Sequence, residues 1–286
     1  MKKWVFISLF ILCIVCVGFY ISPLFQKEID VKIAEKDDKE KAANTKKIEV
    51  TEEQIYKGDL LLVNKNYSVK KDSVRSDIIN VAQNSELVRG YGVLDRNIRL
   101  SKDIVKKFLN VIDAAGKENV NHFLISSGYR DFQEQRQLYE EMGSDYALPA
   151  GYSEHNLGLS LDVGSTQTKM EKAPEGKWIE ENVWKHGFVL RYPKNKSNIT
   201  GIQYEPWHIR YVGLPHSAIM QEKKFTLEEY LDFLKGKKEI STNVEGKEYK
   251  VSYYKVSNNT TINVPINQHY EISGNNMDGV IVTVHQ

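Results

Sequence analysis

The stretch Ser153-Glu154-His155-Asn156-Leu157-Gly158-Leu159-Ser160-Leu161-Asp162, answered later by Glu205-Pro206-Trp207-His208, constrains this 286-residue chain more than any other feature. Two histidines and an aspartate are candidate ligands for one metal ion. Three protein ligands and an open position are the usual make-up of a catalytic zinc site. Any fold that uses them must bring two distant segments side by side. A second carboxylate, Glu205, stands just before the last histidine.

The local pattern around these residues is strand-like. Leu159, Leu161 and Val163 alternate with Ser160, Asp162 and Gly164, a period of two that puts Asp162 on the face opposite the leucines. A carboxylate among apolar residues needs a partner. A metal is one such partner; an arginine or a turn N–H is the other. Pro206 biases Glu205 towards extended backbone. In a regular strand Glu205 and His208 would face opposite ways, so sharing one site requires a turn or bulge at Pro206-Trp207.

Other segments can be placed around this one. Leu60-Leu61-Leu62-Val63 reads as a buried strand. Ser101 precedes a helical pattern through Val105, Phe108, Leu109 and Ile112, with Gly116 as its stop. His122-Phe123-Leu124-Ile125 reads as a core strand delivering the turn Ser126-Ser127-Gly128-Tyr129-Arg130. A helix over 131–142 should follow, stopped by Gly143. Arg130 then lies at a strand-to-helix junction, facing either a cleft or solvent. Trp178 to His186 reads as a helix closed by Gly187, and Phe188 to Pro193 as the next strand. Thr226-Leu227-Glu228-Glu229 has the capping-box pattern of a helix start, with Gly236 as the stop.

Two imidazoles and one carboxylate suit zinc better than calcium or magnesium, which want more oxygens. Zinc lowers the pKa of a bound water to about 7. Glu205 is then placed to act as general base. Arg130 is the candidate cation for a developing oxyanion, or for a substrate carboxylate held in a fork. His122, His216, His269 and His285 have no second ligand near them in sequence and are read as structural or surface residues. His186, in the last turn of its helix, is given no metal role.

Composition changes along the chain. Lys2 and Lys3 precede an apolar run from Trp4 to Phe25, long enough to cross a bilayer. Residues 1–25 are therefore expected to be a retained single-pass anchor with the N-terminus inside. This would place the rest on the extracytoplasmic side of a bacterial cell membrane. Residues 26–53 are rich in Lys, Glu and Asp and are expected to form a flexible linker. The catalytic domain is assigned to 54–238 and a small β-rich appendage to 239–286. The only cysteines, Cys13 and Cys16, fall in the apolar run, so no disulfide is expected in the folded part. A net charge of +1 argues against a nucleic-acid partner. No obligate protein partner is inferred.

The ordered set Ser126 to Arg130, Ser153-Glu154-His155 with Gly158 and Asp162, Gly187-Phe188 with Arg191-Tyr192-Pro193, and Glu205 to Gly213 resembles the VanY family of zinc D,D-carboxypeptidases. The likeness spans roughly Gln54 to Lys235. It implies an α+β fold with helices packed on an antiparallel sheet, as in hedgehog-type domains. It implies one zinc ion on His155, Asp162 and His208, Glu205 as catalytic base, and Arg130 as the substrate-binding arginine. Gln135, Ser153 and Trp207 are implied as further substrate contacts. Ser160 replaces the family's usual alanine. The implied reaction is release of the terminal D-Ala from peptidoglycan pentapeptide precursors ending in D-Ala-D-Ala. It shares that substrate with serine-type carboxypeptidases but is metallo in mechanism, and so penicillin-insensitive. In a cell it would serve wall remodelling and vancomycin resistance. The alternatives are an endopeptidase or dipeptidase of the same chemistry, or a non-catalytic peptidoglycan-binding domain.

Overall fold

The computed structural model describes residues 29–33, 44–143, 147–258 and 260–286. Among them the strands are β1 (Ile29–Ile33), β2 (Thr45–Val50), β3 (Ile78–Asn80), β4 (Gly92–Val93), β5 (Arg99–Ser101), β6 (Phe123–Ser127), β7 (Ser160–Ser165), β8 (Phe188–Leu190), β9 (His208–Tyr211), β10 (Glu239–Val244), β11 (Lys247–Lys255), β12 (Thr260–Pro265), β13 (Tyr270–Gly274) and β14 (Gly279–His285). The α-helices are α1 (Lys102–Lys117), α2 (Phe132–Met142), α3 (Pro174–Asn182), α4 (Ser197–Thr200), α5 (His216–Lys223) and α6 (Leu227–Lys237).

Two five-stranded sheets carry the architecture. The first has the order β4-β6-β7-β9-β8, antiparallel except for the parallel β4–β6 pair. Leu159, Leu161 and Val163 on and beside β7 are fully buried with Phe108 and Ile112 of α1 and Trp178 of α3. The apolar positions of α1 recur at helical spacing, so one stripe faces the sheet. Ser101 caps this helix, its hydroxyl accepting from the Ile104 N–H. The helix runs through Gly116 to Lys117. Likewise α6 has the full capping box at Thr226 and continues one residue past Gly236.

The second sheet has the order β1-β10-β11-β14-β13, and β2 pairs with β12 in a separate ribbon. Both N-terminal strands come from the stretch read as a flexible linker. Each pairs with a strand from the other end of the chain, residue by residue: Ile29 to Val244 and Val50 to Thr260. The charged composition hid this; among the side chains described there, Ile29 and Val50 are the buried ones. The C-terminal sheet also shares a core with elements that flank the first sheet. Val189, Val212, Tyr230, Leu234, Val251 and Ile281 belong to one buried cluster. Leu60 and Leu62 join that cluster, yet 60–63 lies outside any ladder rather than forming the expected strand. Leu62 donates its N–H to the Asn275 carbonyl instead.

The apolar run Trp4 to Phe25, with Cys13 and Cys16, lies outside the described residues. Among the described residues no helix is long and apolar enough to cross a membrane. The longest, α1, has 16 residues and begins Lys102-Asp103. A span needs about 20 apolar residues. The expected single-pass anchor and the membrane localisation built on it are therefore corrected and play no part below.

Candidate functional site

Asp162 sits at the centre of the open face of the first sheet. On β9 His208 is its direct partner, and on β6 its partner is Ser127, just after a register shift. The side chains of Asp162 and His208 consequently share a face. His155 arrives from a single 3-10 turn, Glu154–Asn156, capped by Ser153, whose hydroxyl accepts from the His155 N–H. Gly128 has to be glycine: a Cβ there would lie 2.2 Å from the Arg99 carbonyl. This close approach lets the Gly128 carbonyl take a 2.6 Å hydrogen bond from His155 Nδ1.

The histidine hydrogen bonds select the ligand atoms. A carbonyl can only accept, so His155 Nδ1 carries the proton and Nε2 keeps its lone pair. That Nε2 lies 3.3 Å from Asp162 Oδ2. His208 Nε2 points at the Glu154 carboxylate, 3.4 Å away, while its Nδ1 lies 2.9 Å from Asp162 Oδ1. One atom each from His155, Asp162 and His208 falls within 4.8 Å of the others. Two imidazole nitrogens and a carboxylate oxygen converging on one point, each histidine held through its second nitrogen, fit a zinc ion.

Glu205 reaches the same point by the turn its spacing required. Residues 206 and 207 form a turn before β9 starts, and the His208 N–H bonds back to the Glu205 carbonyl at 3.3 Å. Glu205 Oε2 ends 4.0 Å from His208 Nδ1. Burial pushes the Glu205 carboxyl above its ordinary value, against the pull of His208. For Asp162, burial raises the pKa, but the charges and hydrogen bonds of His155 and His208 outweigh it and hold the carboxyl well below the usual carboxylate range. Burial lowers the His208 pKa, yet hydrogen bonds to Asp162 and Glu154 carry it up to about 9. His155, buried and near Arg130, is lowered.

Arg130 faces the cleft, not solvent. Its guanidinium donates to Ser127 Oγ from Nε and Nη2, at 3.2 and 3.1 Å, and to Gln135 Oε1 at 2.8 Å. It stands 3.6 Å from Asp162 Oδ2. Gln135 is buried on α2, and its amide donates to the Leu148 carbonyl at 2.7 Å. Arg130, Gln135, Ser153, Glu205 and Trp207 line one cavity of about 440 Å³ with the three candidate ligands.

Sequence reasoning missed what lies behind His208. Glu154 is fully buried and accepts from Arg191 Nε at 2.8 Å and Arg210 Nη1 at 2.7 Å. Arg191 continues to Glu228, and Arg210 also donates to the Asp59 and Leu61 carbonyls. Burial would raise the Glu154 pKa, but the two arginines outweigh it and keep the group ionised. Arg210 stands two residues after His208 on β9, hence on the same face, and that spacing was the available signal. Tyr192 stood in a quoted motif but was given no role; its ring packs 4.9 Å from that of His208.

The chain is similar to known proteins. A family model described as "VanY: D-alanyl-D-alanine carboxypeptidase" matches residues 97–214. A D-alanyl-D-alanine carboxypeptidase of Enterococcus faecium is 58% identical over 99% of this chain and 96% of its own length. This chain belongs to the VanY D-Ala-D-Ala carboxypeptidase family. Among solved structures, the D,D-dipeptidase VanXYg with a D-Ala-D-Ala phosphinate analogue has a TM-score of 0.74 at 32% identity. It covers 85% of this chain and 99% of VanXYg, so the likeness reaches beyond 97–214. A mutant VanY D,D-pentapeptidase from a VanB-type resistance cassette, in complex with Zn(II), has a TM-score of 0.50 at 27% identity over 60% of this chain and 98% of its own. The fold is thus the mixed helix and antiparallel-sheet fold of VanY and VanX peptidases.

Proposed function

We propose that this D-Ala-D-Ala carboxypeptidase is a zinc enzyme that removes the terminal D-Ala of peptidoglycan pentapeptide precursors. The observation that carries this reading is the convergence of His155 Nε2, Asp162 and His208 Nδ1 beside Glu205 in a cavity that also holds Arg130. These residues would hold the ion, which when bound lowers the pKa of water and polarises a carbonyl.

The chain's own groups do the rest. The Arg130 guanidinium, positioned by Ser127 and Gln135, binds the C-terminal carboxylate of the peptide. Glu205 takes the proton of the attacking water and passes it to the leaving D-Ala nitrogen. Its raised pKa suits both halves of that transfer. Ser153, Gln135 and Trp207 form the walls that position the peptide. With water rather than a serine as nucleophile no acyl-enzyme forms, so penicillin has nothing to trap. Loss of the last D-Ala removes the ending that vancomycin recognises, which links this activity to resistance.

The test is D-Ala release from a pentapeptide ending in D-Ala-D-Ala by the full chain. Release should stop with chelator, return with zinc and continue with penicillin present. Glu205→Ala should keep zinc and lose turnover, whereas His208→Ala should lose both. Unchanged turnover in Glu205→Ala would remove the assigned base. The likeness to the dipeptidase VanXYg motivates a second reading, hydrolysis of free D-Ala-D-Ala, and the same assay run on the dipeptide separates the two.

A further inference from the structure

The C-terminal sheet carries a second convergent donor set, built from histidines that stand apart in sequence. In the β13–β14 pair Tyr270 faces Val284 and Glu271 faces Thr283. The His285 N–H donates to the His269 carbonyl at 3.0 Å, which extends the ladder by one step. His269 and His285 are therefore direct cross-strand neighbours. Alternation places Glu271 on the same face as His269.

The two imidazole rings lie 4.6 Å apart between centroids. Both Nε2 atoms stand 3.5 Å from the same oxygen, Glu271 Oε1. One donor atom from each of the three residues lies within 4.8 Å of the others. His285 Nε2 is covered from solvent and has no hydrogen-bond partner, and the ring packs edge-on against Tyr249 at 5.1 Å. A covered ring nitrogen without a partner is costly. A cation seated among these three groups would satisfy it and neutralise Glu271.

We propose that His269, Glu271 and His285 form a second divalent-metal site. The donor set, two imidazoles and one carboxylate, repeats that of His155, Asp162 and His208 and suits zinc over calcium or magnesium, which want more oxygens. His269 and Glu271 are exposed, so water completes the coordination. None of the three lines the catalytic cavity. The ion takes no part in peptide hydrolysis; it clamps the edge strand β13 to β14 at the end of the chain.

The experiment uses the full chain, stripped with chelator and then equilibrated with zinc alone, with metal counted per chain by elemental analysis. Wild type is expected to bind two ions. The His269→Ala/His285→Ala double variant should bind one and release D-Ala at the wild-type rate, and the second equivalent of zinc should no longer raise its melting temperature. Glu271→Gln should weaken the second ion without removing the first. The proposal is overturned if the double variant binds as many ions as wild type. If wild type binds a single ion, and the double variant loses that ion but keeps its activity, the β-sheet site stands and the catalytic-zinc reading falls instead.

Discussion

The hydrogen bonds behind His208 make Glu154→Gln the most informative single substitution. Glu154, Arg191 and Arg210 side chains are all 0% exposed, so no water can replace a lost partner. The carboxylate accepts three hydrogen bonds, two from guanidinium groups and one from His208. Gln has the same shape but no charge, and its amide nitrogen points a donor at another donor. Both guanidinium groups donate to Oε1, which Gln keeps as a neutral acceptor, so the hydrogen bonds weaken and the opposing charge is lost; Arg191 still has Glu228, whereas Arg210 has only carbonyl acceptors left beside the amide. Breaking a buried ion pair by removing one partner costs about 3–5 kcal/mol, against a total stability of roughly 5–15 kcal/mol. The same substitution releases the ring that presents Nδ1. Losing such an outer partner typically lowers metal affinity or activity by about 10–100-fold. Two measurements check this: urea unfolding, and zinc affinity by competition with a chromophoric chelator. Glu228→Gln is the control, since it disturbs Arg191 without touching His208 and should lower stability more than zinc affinity. A Glu154→Gln protein within about 1 kcal/mol of wild type and with unchanged zinc affinity would refute the reasoning.

Three further outcomes are expected. Glu205 works as a base only when ionised, and burial raises its pKa. Activity should therefore fall with acid, with the lower limb of kcat/KM lying above the ordinary glutamate value; a limb at or below about 4.3 would contradict this. Ser160 is fully buried opposite Arg210, and its hydroxyl has no hydrogen-bond partner among the described residues. Ser160→Ala should thus raise stability by roughly 1 kcal/mol, read as a shift of the urea midpoint, and a destabilised variant would show that the hydroxyl is satisfied. Starting the chain at Gln54 removes β1 and β2 with the buried side chains of Ile29 and Val50. That loss is worth roughly 3–6 kcal/mol of apolar burial. The shortened protein should melt well below one that begins at Glu28, and equal melting would show that these strands contribute nothing.

Most of the first sheet could be read from local chemistry. The alternation around Asp162, the cap at Ser101, the box at Thr226 and the stop at Gly143 each act within a few residues, and each appears where its pattern stands. The turn at Pro206-Trp207 was required by a contradiction, since a straight strand could not send Glu205 and His208 to one site. Pairings between distant segments were not legible. Composition marked residues 26–53 as too polar to fold, which holds for a segment alone. It fails where β10 and β12 supply ladder partners, because backbone pairing asks little of side chains.

The histidines show the same limit at the level of function. His155 and His208 could be joined on paper because each stands in a motif with chemistry of its own. His269 and His285 lack such motifs, and sequence separation made them look solitary. A β-ladder cancels that separation, since any residue may face any other once register is set. Here register depends on the turn at Asn275, whose side-chain oxygen accepts from the N–H groups of Met277, Asp278 and Gly279. A one-residue slip of β14 would move His285 to the other face, away from Glu271 and His269. Asn275→Ala is therefore the distant substitution that should loosen the proposed second site, and it should leave binding of the ion proposed at Asp162 and His208, on the other sheet, and at His155, on its own 3-10 turn, unchanged.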